Sequence, residues 1–215
     1  MDGVVVHSSP TDAVAARGDR NVPLLIGTNQ DEGTLFSLLL PTDVTNEQIL
    51  AALPETIIDP GVVGALYAGR DTGRWLIVDL LTDAVFLVPT LRLADAQAAA
   101  SAPVWVYLFS WKTPVFGGLL GATHALELPF LWDKIDDPLW QTFVGENAPR
   151  SLVTAMQDAW IAFARTGEPN ARGPLAWPRY DSATRPTLEF GDEIRIVEDP
   201  CKELREVWYG ASVPS

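Results

Sequence analysis

With 215 residues, of which 47% are apolar and 20% charged, the sequence has the composition of a folded protein and enough length for one domain or part of a larger one. Its net charge of −13 and the lack of a basic run argue against a nucleic-acid partner, because the phosphate backbone would be repelled. The single cysteine, Cys201, rules out an internal disulfide and a cysteine metal cluster, and the two histidines, His7 and His124, are not at metal-ligand spacing. We therefore expect no metal and no cofactor.

The ends and the apolar runs of the chain give no sign of targeting. The N-terminus has neither the basic segment nor the apolar segment of a secretory signal. The longest apolar runs, such as AVFLV at 84–88, are far shorter than the roughly 20 residues that a membrane span needs. We expect a soluble chain without a membrane span, and its cellular location stays open.

The first half of the chain is predicted to hold one strand and several helices. Residues 1–20 are expected to form an extended, loop-rich lead-in. The apolar run in NVPLLIGTNQDEGTLF (21–36) stops abruptly at turn residues, which is typical of a strand buried on both faces. Weaker helical patterns occupy 43–69. From 75 to 100 the pattern is mostly helical, and Pro89 is expected to break or kink that helix.

The second half is predicted to hold another strand and one clear helix. APVWVYLFSW (102–111) is rich in β-branched and aromatic residues and predicts a second buried strand, followed by a glycine-rich loop over 112–123. A helix over Ser151–Arg165 is predicted from apolar residues at three- and four-residue spacing, with Gly167 ending it. The turn-rich tail is given one edge strand near 187–190.

Two strands separated by helices, each ending in a polar loop, indicate an α/β fold. In open parallel sheets chemistry gathers beyond the carboxyl ends of the strands. Asp31 and Glu32 follow the first strand, and His124 lies in the loop after the second. A carboxylate and a histidine at those places would form the acid–base part of a nucleophilic triad, in the order acid before histidine that α/β-hydrolases use. The alternative is that His124 is a partly exposed residue near a helix N-terminus.

Four segments of the chain carry a more specific resemblance. VPLLIGTNQDEGTLF resembles the acid-bearing segment of the type-B carboxylesterases, the family that includes para-nitrobenzyl esterases and cholinesterases. GATHALELPFLW is similar to the histidine segment of that family, and MQDAWIAFARTGEPN followed by WPRYD to its C-terminal helix and the turn after it. The opening MDGVVV resembles a short stretch before the acid segment. The four segments lie in family order and cover nearly the whole chain.

The resemblance implies a fold and a set of roles. Residues 1–215 would be the C-terminal part of one carboxylesterase domain, holding the last two central parallel strands of an incomplete α/β-hydrolase sheet with their packing helices. Glu32 would be the triad acid and His124 the triad base, acting on a small carboxylic ester through an acyl-enzyme. Glu127 matches an acidic position and is interpreted as supporting the site or the structure, while Asp31 is interpreted as part of the turn.

The nucleophile that such a triad needs is missing from the sequence. No G-x-S-x-G elbow occurs, and the nearest candidate, GASVP at 210–214, lacks the second glycine. The glycine-rich oxyanion loop of the family is also missing. Both features are expected upstream of residue 1, so the chain alone is predicted to have negligible esterase activity.

Two other interpretations remain open at this point. The chain could be a non-catalytic interaction protein, like the adhesion members of the family, or one half of a split esterase whose serine comes from a separate N-terminal chain. Four apolar residues are candidates either for the remaining part of a substrate pocket or for the core. These are Leu35, Phe36, Phe116 and Leu119.

Overall fold

A computed structural model describes residues 8–16, 22–39, 43–52, 60–68, 73–170 and 176–210. The MDGVVV segment lies outside these ranges, as does all of GASVP after its glycine. The strands of the described chain are β1 (Leu24–Asn29), β2 (Val104–Phe109), β3 (Pro186–Phe190) and β4 (Ile194–Glu198). Its α-helices are α1 (Pro10–Ala15), α2 (Thr34–Ser37), α3 (Asn46–Ala52), α4 (Pro60–Leu66), α5 (Gly73–Leu81), α6 (Val88–Ala99), α7 (Leu128–Leu131), α8 (Pro138–Val144), α9 (Arg150–Thr166) and α10 (Lys202–Gly210).

The four strands form one mixed sheet in the order β1-β2-β3-β4. β1 and β2 pair in parallel from Leu24 opposite Val104 to Asn29 opposite Phe109. β2 and β3 are also parallel, whereas β3 and β4 form an antiparallel hairpin. The two predicted strands are therefore confirmed, and their carboxyl ends lie side by side, which brings the loops that follow them together.

The position of each strand in the sheet explains its burial. β2 has strands on both sides, and Val104, Trp105, Val106 and Phe109 are almost fully buried. β1 has a partner only on its β2 side among the described residues, and its first four residues are half-buried. The prediction that β1 is buried on both faces was therefore wrong for most of its length.

The C-terminal tail contains more structure than the single predicted edge strand. The stretch near 187–190 is β3, which lies inside the sheet, while β4 forms the edge. Arg195 Nε donates to Glu189 Oε2 across this hairpin at 2.7 Å. Beyond it, α10 packs Trp208 against α4. Because the tail is rich in turn residues, its sequence pattern did not predict β4 or α10.

The start of the chain also differs from the prediction. Residues 10–15 form α1 rather than an extended lead-in. Ser9 caps this helix by accepting a hydrogen bond from the Asp12 backbone N–H, and Pro10 occupies its first turn, where no N–H is needed.

The predicted long helix is interrupted before Pro89, not at it. Residues Thr82–Leu87 form a π-helical turn between α5 and α6. Pro89 lies at the start of α6, and its ring would clash with the carbonyl of residue 85 in a regular α-helix. The wider turn accommodates the proline and buries Thr82 and Asp83.

The main core lies between the sheet and α9. The prediction of this helix is confirmed, and Gly167 ends it in the left-handed conformation with φ 76°. Its buried face packs against β2 and β3 around Trp105 and Phe190. None of the helices in the described ranges has both the length and the apolar character needed to cross a bilayer.

Candidate active site

The loop after β1, residues 30–33, is joined to the loop that carries His124. Asp31 and Thr123 form an isolated parallel β-bridge. The Asp31 backbone N–H donates to the Ala122 carbonyl at 3.0 Å, and Asp31 Oδ2 accepts from the Ala122 N–H at 2.8 Å. Asp31 is therefore more than part of a turn, since its side chain and backbone together hold the two loops in register.

Glu32 and His124 lie in direct contact, although 92 residues separate them. Glu32 Oε2 is 2.6 Å from His124 Nδ1, and Glu32 Oε1 accepts from the Asn29 backbone N–H at 2.8 Å. The Glu32 side chain is 7% exposed, whereas the His124 side chain is 39% exposed. An ionised Glu32 can only accept a hydrogen bond, so in that state the 2.6 Å contact places the proton of a neutral imidazole on Nδ1 and leaves Nε2 as the basic nitrogen.

The environment of Glu32 sets its ionisation. Burial raises the pKa of this carboxyl above 4.5. The hydrogen bonds from Asn29 and His124 oppose that rise, and the charge of Glu127 adds to it. Burial is the largest of these effects, so keeping Glu32 ionised in the folded chain lowers the free energy of unfolding.

Glu127 reaches this pair through Asn29. The Asn29 side-chain amide donates to Glu127 Oε2 at 2.5 Å and to the Thr123 carbonyl at 2.7 Å. Its backbone N–H at the same time binds Glu32. Asn29 was not predicted from the sequence, and its position as the last residue of β1, directly before the acidic loop, was the available signal.

Gly33 is required by close packing and not by an unusual backbone angle, since its φ is −66°. A Cβ at this position would lie 2.1 Å from the Val78 carbonyl oxygen on α5. The Gly33 N–H donates to Thr82 Oγ1 at 2.9 Å, which ties the acidic loop to the π-helical turn.

Two phenylalanine rings that stack on each other also contact the imidazole of His124. The ring centroid of Phe36 lies 5.4 Å from that of His124, and the centroid of Phe86, which lies on the π-helical turn, is 5.1 Å away. Aromatic rings at this distance can stabilise a cation such as the imidazolium. Of the four apolar candidates, Phe36 thus belongs to the site, and Phe86 was not predicted from the sequence.

The other apolar candidates are distributed around the site. Phe116 and Leu119 are 67% and 44% exposed, so neither is a core residue, and Leu35 is half-buried. Leu119 lines a cleft of about 410 Å³ together with Asp31 and Thr34. The described residues contain no cluster of His, Cys, Asp and Glu side chains able to hold a metal ion.

Comparisons of this sequence with a family profile and with individual proteins indicate the same family. Residues 67–208 match the profile of the Carboxylesterase family. The chain is 34% identical over 213 residues to the para-nitrobenzyl esterase of Bacillus subtilis, covering 96% of this chain and 42% of that protein. It is 29% identical over 200 residues to the phenmedipham hydrolase of Pseudarthrobacter oxydans, covering 90% of this chain and 40% of that protein.

Solved structures agree with these matches. A carboxylesterase of Geobacillus stearothermophilus superposes with a TM-score of 0.79 at 32% identity, covering 96% of this chain and 44% of that one. A thermophilic PNB esterase superposes with a TM-score of 0.76 at 31% identity, covering 93% and 41%. The chain spans about two-fifths of the length of these relatives. It belongs to the carboxylesterase family, and its four-stranded sheet is part of an α/β-hydrolase fold.

Proposed function

We propose that this chain supplies the acid and the base of a serine carboxylesterase site, within residues 1–215 as part of one carboxylesterase domain. The observation that carries the proposal is the 2.6 Å contact between Glu32 Oε2 and His124 Nδ1 at the carboxyl end of the sheet. A buried carboxylate bound to one imidazole nitrogen leaves the other free to accept a proton, which is the arrangement that general-base catalysis requires.

In the proposed mechanism, His124 Nε2 takes the proton of a serine hydroxyl as that oxygen attacks the ester carbonyl. The imidazolium is stabilised by Glu32 and by the neighbouring rings of Phe36 and Phe86. The same proton then passes to the leaving alcohol, which departs as the acyl-enzyme forms. A water molecule, deprotonated by His124 in turn, releases the carboxylic acid and restores the serine.

The serine in this proposal comes from outside these 215 residues, because the sequence holds no G-x-S-x-G elbow. Either a longer form of the chain or a separate N-terminal chain could supply it, together with the oxyanion-binding N–H groups. We propose a small carboxylic ester as substrate, as the name of the para-nitrobenzyl esterase relative suggests. Two members of a triad without the third give almost none of its acceleration, so the chain alone should be inactive.

A chimera tests this proposal. The segment of the Bacillus subtilis para-nitrobenzyl esterase that matches this chain would be replaced by residues 1–215, and hydrolysis of p-nitrophenyl acetate measured. We expect hydrolysis that falls by about 10⁴-fold in Glu32→Gln and at least as far in His124→Ala. Glu146→Gln, which changes an exposed carboxylate, should leave the rate unchanged. A folded chimera in which His124→Ala keeps its rate would contradict the proposal.

The contact between the two residues can also be tested in the 215-residue chain itself. An Nδ1 proton held in a 2.6 Å bond to a carboxylate should resonate far downfield, and Glu32→Gln should remove that signal. No structural observation favours the alternative of a non-catalytic interaction protein, and a buried Glu32–His124 pair is not needed for adhesion. Absence of the downfield proton in the wild-type chain would favour that alternative.

A further inference from the structure

Two buried threonines join the loops that carry Glu32 and His124. Thr34 begins α2, two residues after Glu32, and Thr123 directly precedes His124. Their side-chain oxygens lie 2.7 Å apart, and the two residues are 6% and 0% exposed. The two hydroxyls meet because the carboxyl ends of β1 and β2 are neighbours in the sheet.

The other contacts of Thr34 show which of the two hydroxyls donates. Thr34 Oγ1 lies 2.6 Å from the carbonyl oxygen of Asp31 and 2.6 Å from that of Leu120. A carbonyl can only accept, and a hydroxyl has one proton, so the proton of Thr34 is used on these two oxygens. The bond between the hydroxyls is therefore donated by Thr123 and accepted by Thr34.

This bond connects the backbone next to the imidazole with the helix that follows the acidic loop. Thr123 is the immediate neighbour of His124 in the chain. The helix that Thr34 begins also carries Phe36, whose ring centroid is 5.4 Å from that of His124. The Thr34 backbone N–H donates to the Asp31 carbonyl at 3.0 Å, which holds the same helix to the acidic loop. A shift of either threonine would therefore change how the carboxylate, the imidazole and the ring lie relative to one another.

Apolar packing alone would not need two hydroxyls at this place. Valine has nearly the shape of threonine, and an apolar contact has no preferred direction, whereas a hydrogen bond weakens steeply when it is bent. A buried hydroxyl also costs free energy unless it is paired. The pair of hydroxyls therefore restricts the separation of the two loops more narrowly than two methyl groups would.

We propose that Thr34 and Thr123 are positioning residues, whose hydroxyl bond keeps Glu32 Oε2 aligned with His124 Nδ1. The effect of this bond on a reaction rate rests on the proposed function, but the alignment is a property of the 215-residue chain itself. A misplacement of about 1 Å at a catalytic group can lower a rate by about a hundredfold, so loss of the bond should be measurable both in the imidazole and in turnover.

The first test follows the imidazole in the 215-residue chain labelled with ¹⁵N-histidine, with His7→Gln to tell the two histidines apart. Thr123→Val keeps the shape of the side chain and removes the donor, while Thr34 keeps its carbonyl partners. We expect the ¹⁵N shifts of the His124 ring to move toward the average of the two tautomers, and its Nδ1 proton to exchange with water about tenfold faster. Thr187→Val is the matched control, because it removes a buried hydroxyl on β3 and should leave the His124 signals in place.

The second test asks whether the two threonines act through one bond, with the chimera and p-nitrophenyl acetate. Thr34→Val and Thr123→Val should each lower kcat by about 10–100-fold and change KM by less than about twofold. The double variant should be no slower than the slower single variant, because one bond can be lost only once. Thr34→Ser, which keeps the hydroxyl, should retain the wild-type rate.

The outcomes separate this positioning role from the proposed function. His124 signals that are unchanged in Thr123→Val, but shifted in Glu32→Gln, would overturn the positioning role and leave the proposed function standing. Losses in kcat that multiply in the double variant would overturn it too, since the threonines would then act independently. Shifted signals in Thr123→Val, together with a chimera in which His124→Ala keeps its rate, would support the positioning role and contradict the proposed function.

Discussion

Replacing Glu32 by glutamine should change how the free energy of unfolding varies with pH, while the folded structure is kept. Glutamine has nearly the same shape, and its amide can satisfy both neighbours if the His124 ring carries its proton on Nε2 instead of Nδ1. The Asn29 N–H would still have an oxygen acceptor, and the glutamine NH₂ would donate to Nδ1. The folded structure should therefore survive the substitution while the tautomer of the imidazole changes.

The sign of the pH effect follows from the raised pKa of Glu32. The folded chain holds the Glu32 proton to higher pH than the unfolded chain, whose carboxyl titrates at about its ordinary value of 4.5. The stability that the protonated carboxyl contributes is complete below that value and is lost as the pH rises through the folded-state pKa. Each unit by which burial raises this pKa corresponds to about 1.4 kcal/mol of lost stability at higher pH. Because only 6% of the residue is exposed, solvent does little to reduce this effect.

The assay is urea unfolding followed by tryptophan fluorescence, for the wild-type chain and Glu32→Gln, at intervals from about pH 4 to about pH 7. We expect the unfolding free energy of the wild type, relative to the variant, to fall as the pH rises. Glu146→Gln, at an exposed site, should follow the wild-type profile. A wild type that instead gains stability relative to Glu32→Gln over this range would show that the hydrogen bonds to Glu32 outweigh its burial, and would refute the reasoning.

Three further predictions concern other residues. Gly33→Ala places a Cβ 2.1 Å from the Val78 carbonyl oxygen and should cost about 1–3 kcal/mol or more in thermal unfolding, while Gly210→Ala, with no atom near the new Cβ, should cost far less. Burial, with nearby carboxylates, raises the pKa of the Cys201 thiol from 9.0 to about 11. Maleimide labelling of the folded chain near neutral pH should therefore be about a hundredfold slower than labelling of the chain unfolded in urea. Equal labelling rates would contradict this prediction. Asp31→Ala removes the acceptor between the two loops and should cost about 1.5–3 kcal/mol and broaden the downfield imidazole proton, whereas a sharp, unmoved signal would show that the backbone bridge is sufficient.

The sequence was informative where a segment's own pattern decides its structure. β1 and β2 are short apolar runs between turn residues, and α9 has an apolar face at helical spacing, so each could be predicted without knowing its neighbours. β4 could not, although a strand near 187–190 was predicted, because its pairing, including the cross-strand ion pair between Arg195 and Glu189, exists only in the folded chain.

The same distinction holds in the candidate site. Glu32 and His124 could be placed together from the sequence because parallel neighbours bring the loops after their strands to one edge. Phe86 could not, because its position beside the imidazole depends on a π-helical turn that Pro89 imposes on the chain before it. A helix of regular pitch would direct the residue at 86 elsewhere, and nothing in its sequence pattern marks it as a neighbour of His124.

Asp31, Glu32 and Gly33, three consecutive residues in the loop after β1, each have a different structural role. Asp31 binds the backbone of the histidine loop, Glu32 binds the imidazole, and Gly33 lets α5 approach without a clash. Asp31 and Glu32 thus contact different neighbours through their side chains, and Gly33 allows the close approach of α5 because it has none. These roles also predict that the three substitutions differ in kind: the first should loosen the loop, the second should change the pH profile, and the third should lower stability at every pH. If all three instead produced the same general loss of stability, the geometry of this loop would be a matter of packing alone, and the case for a tuned acid–base pair would fail.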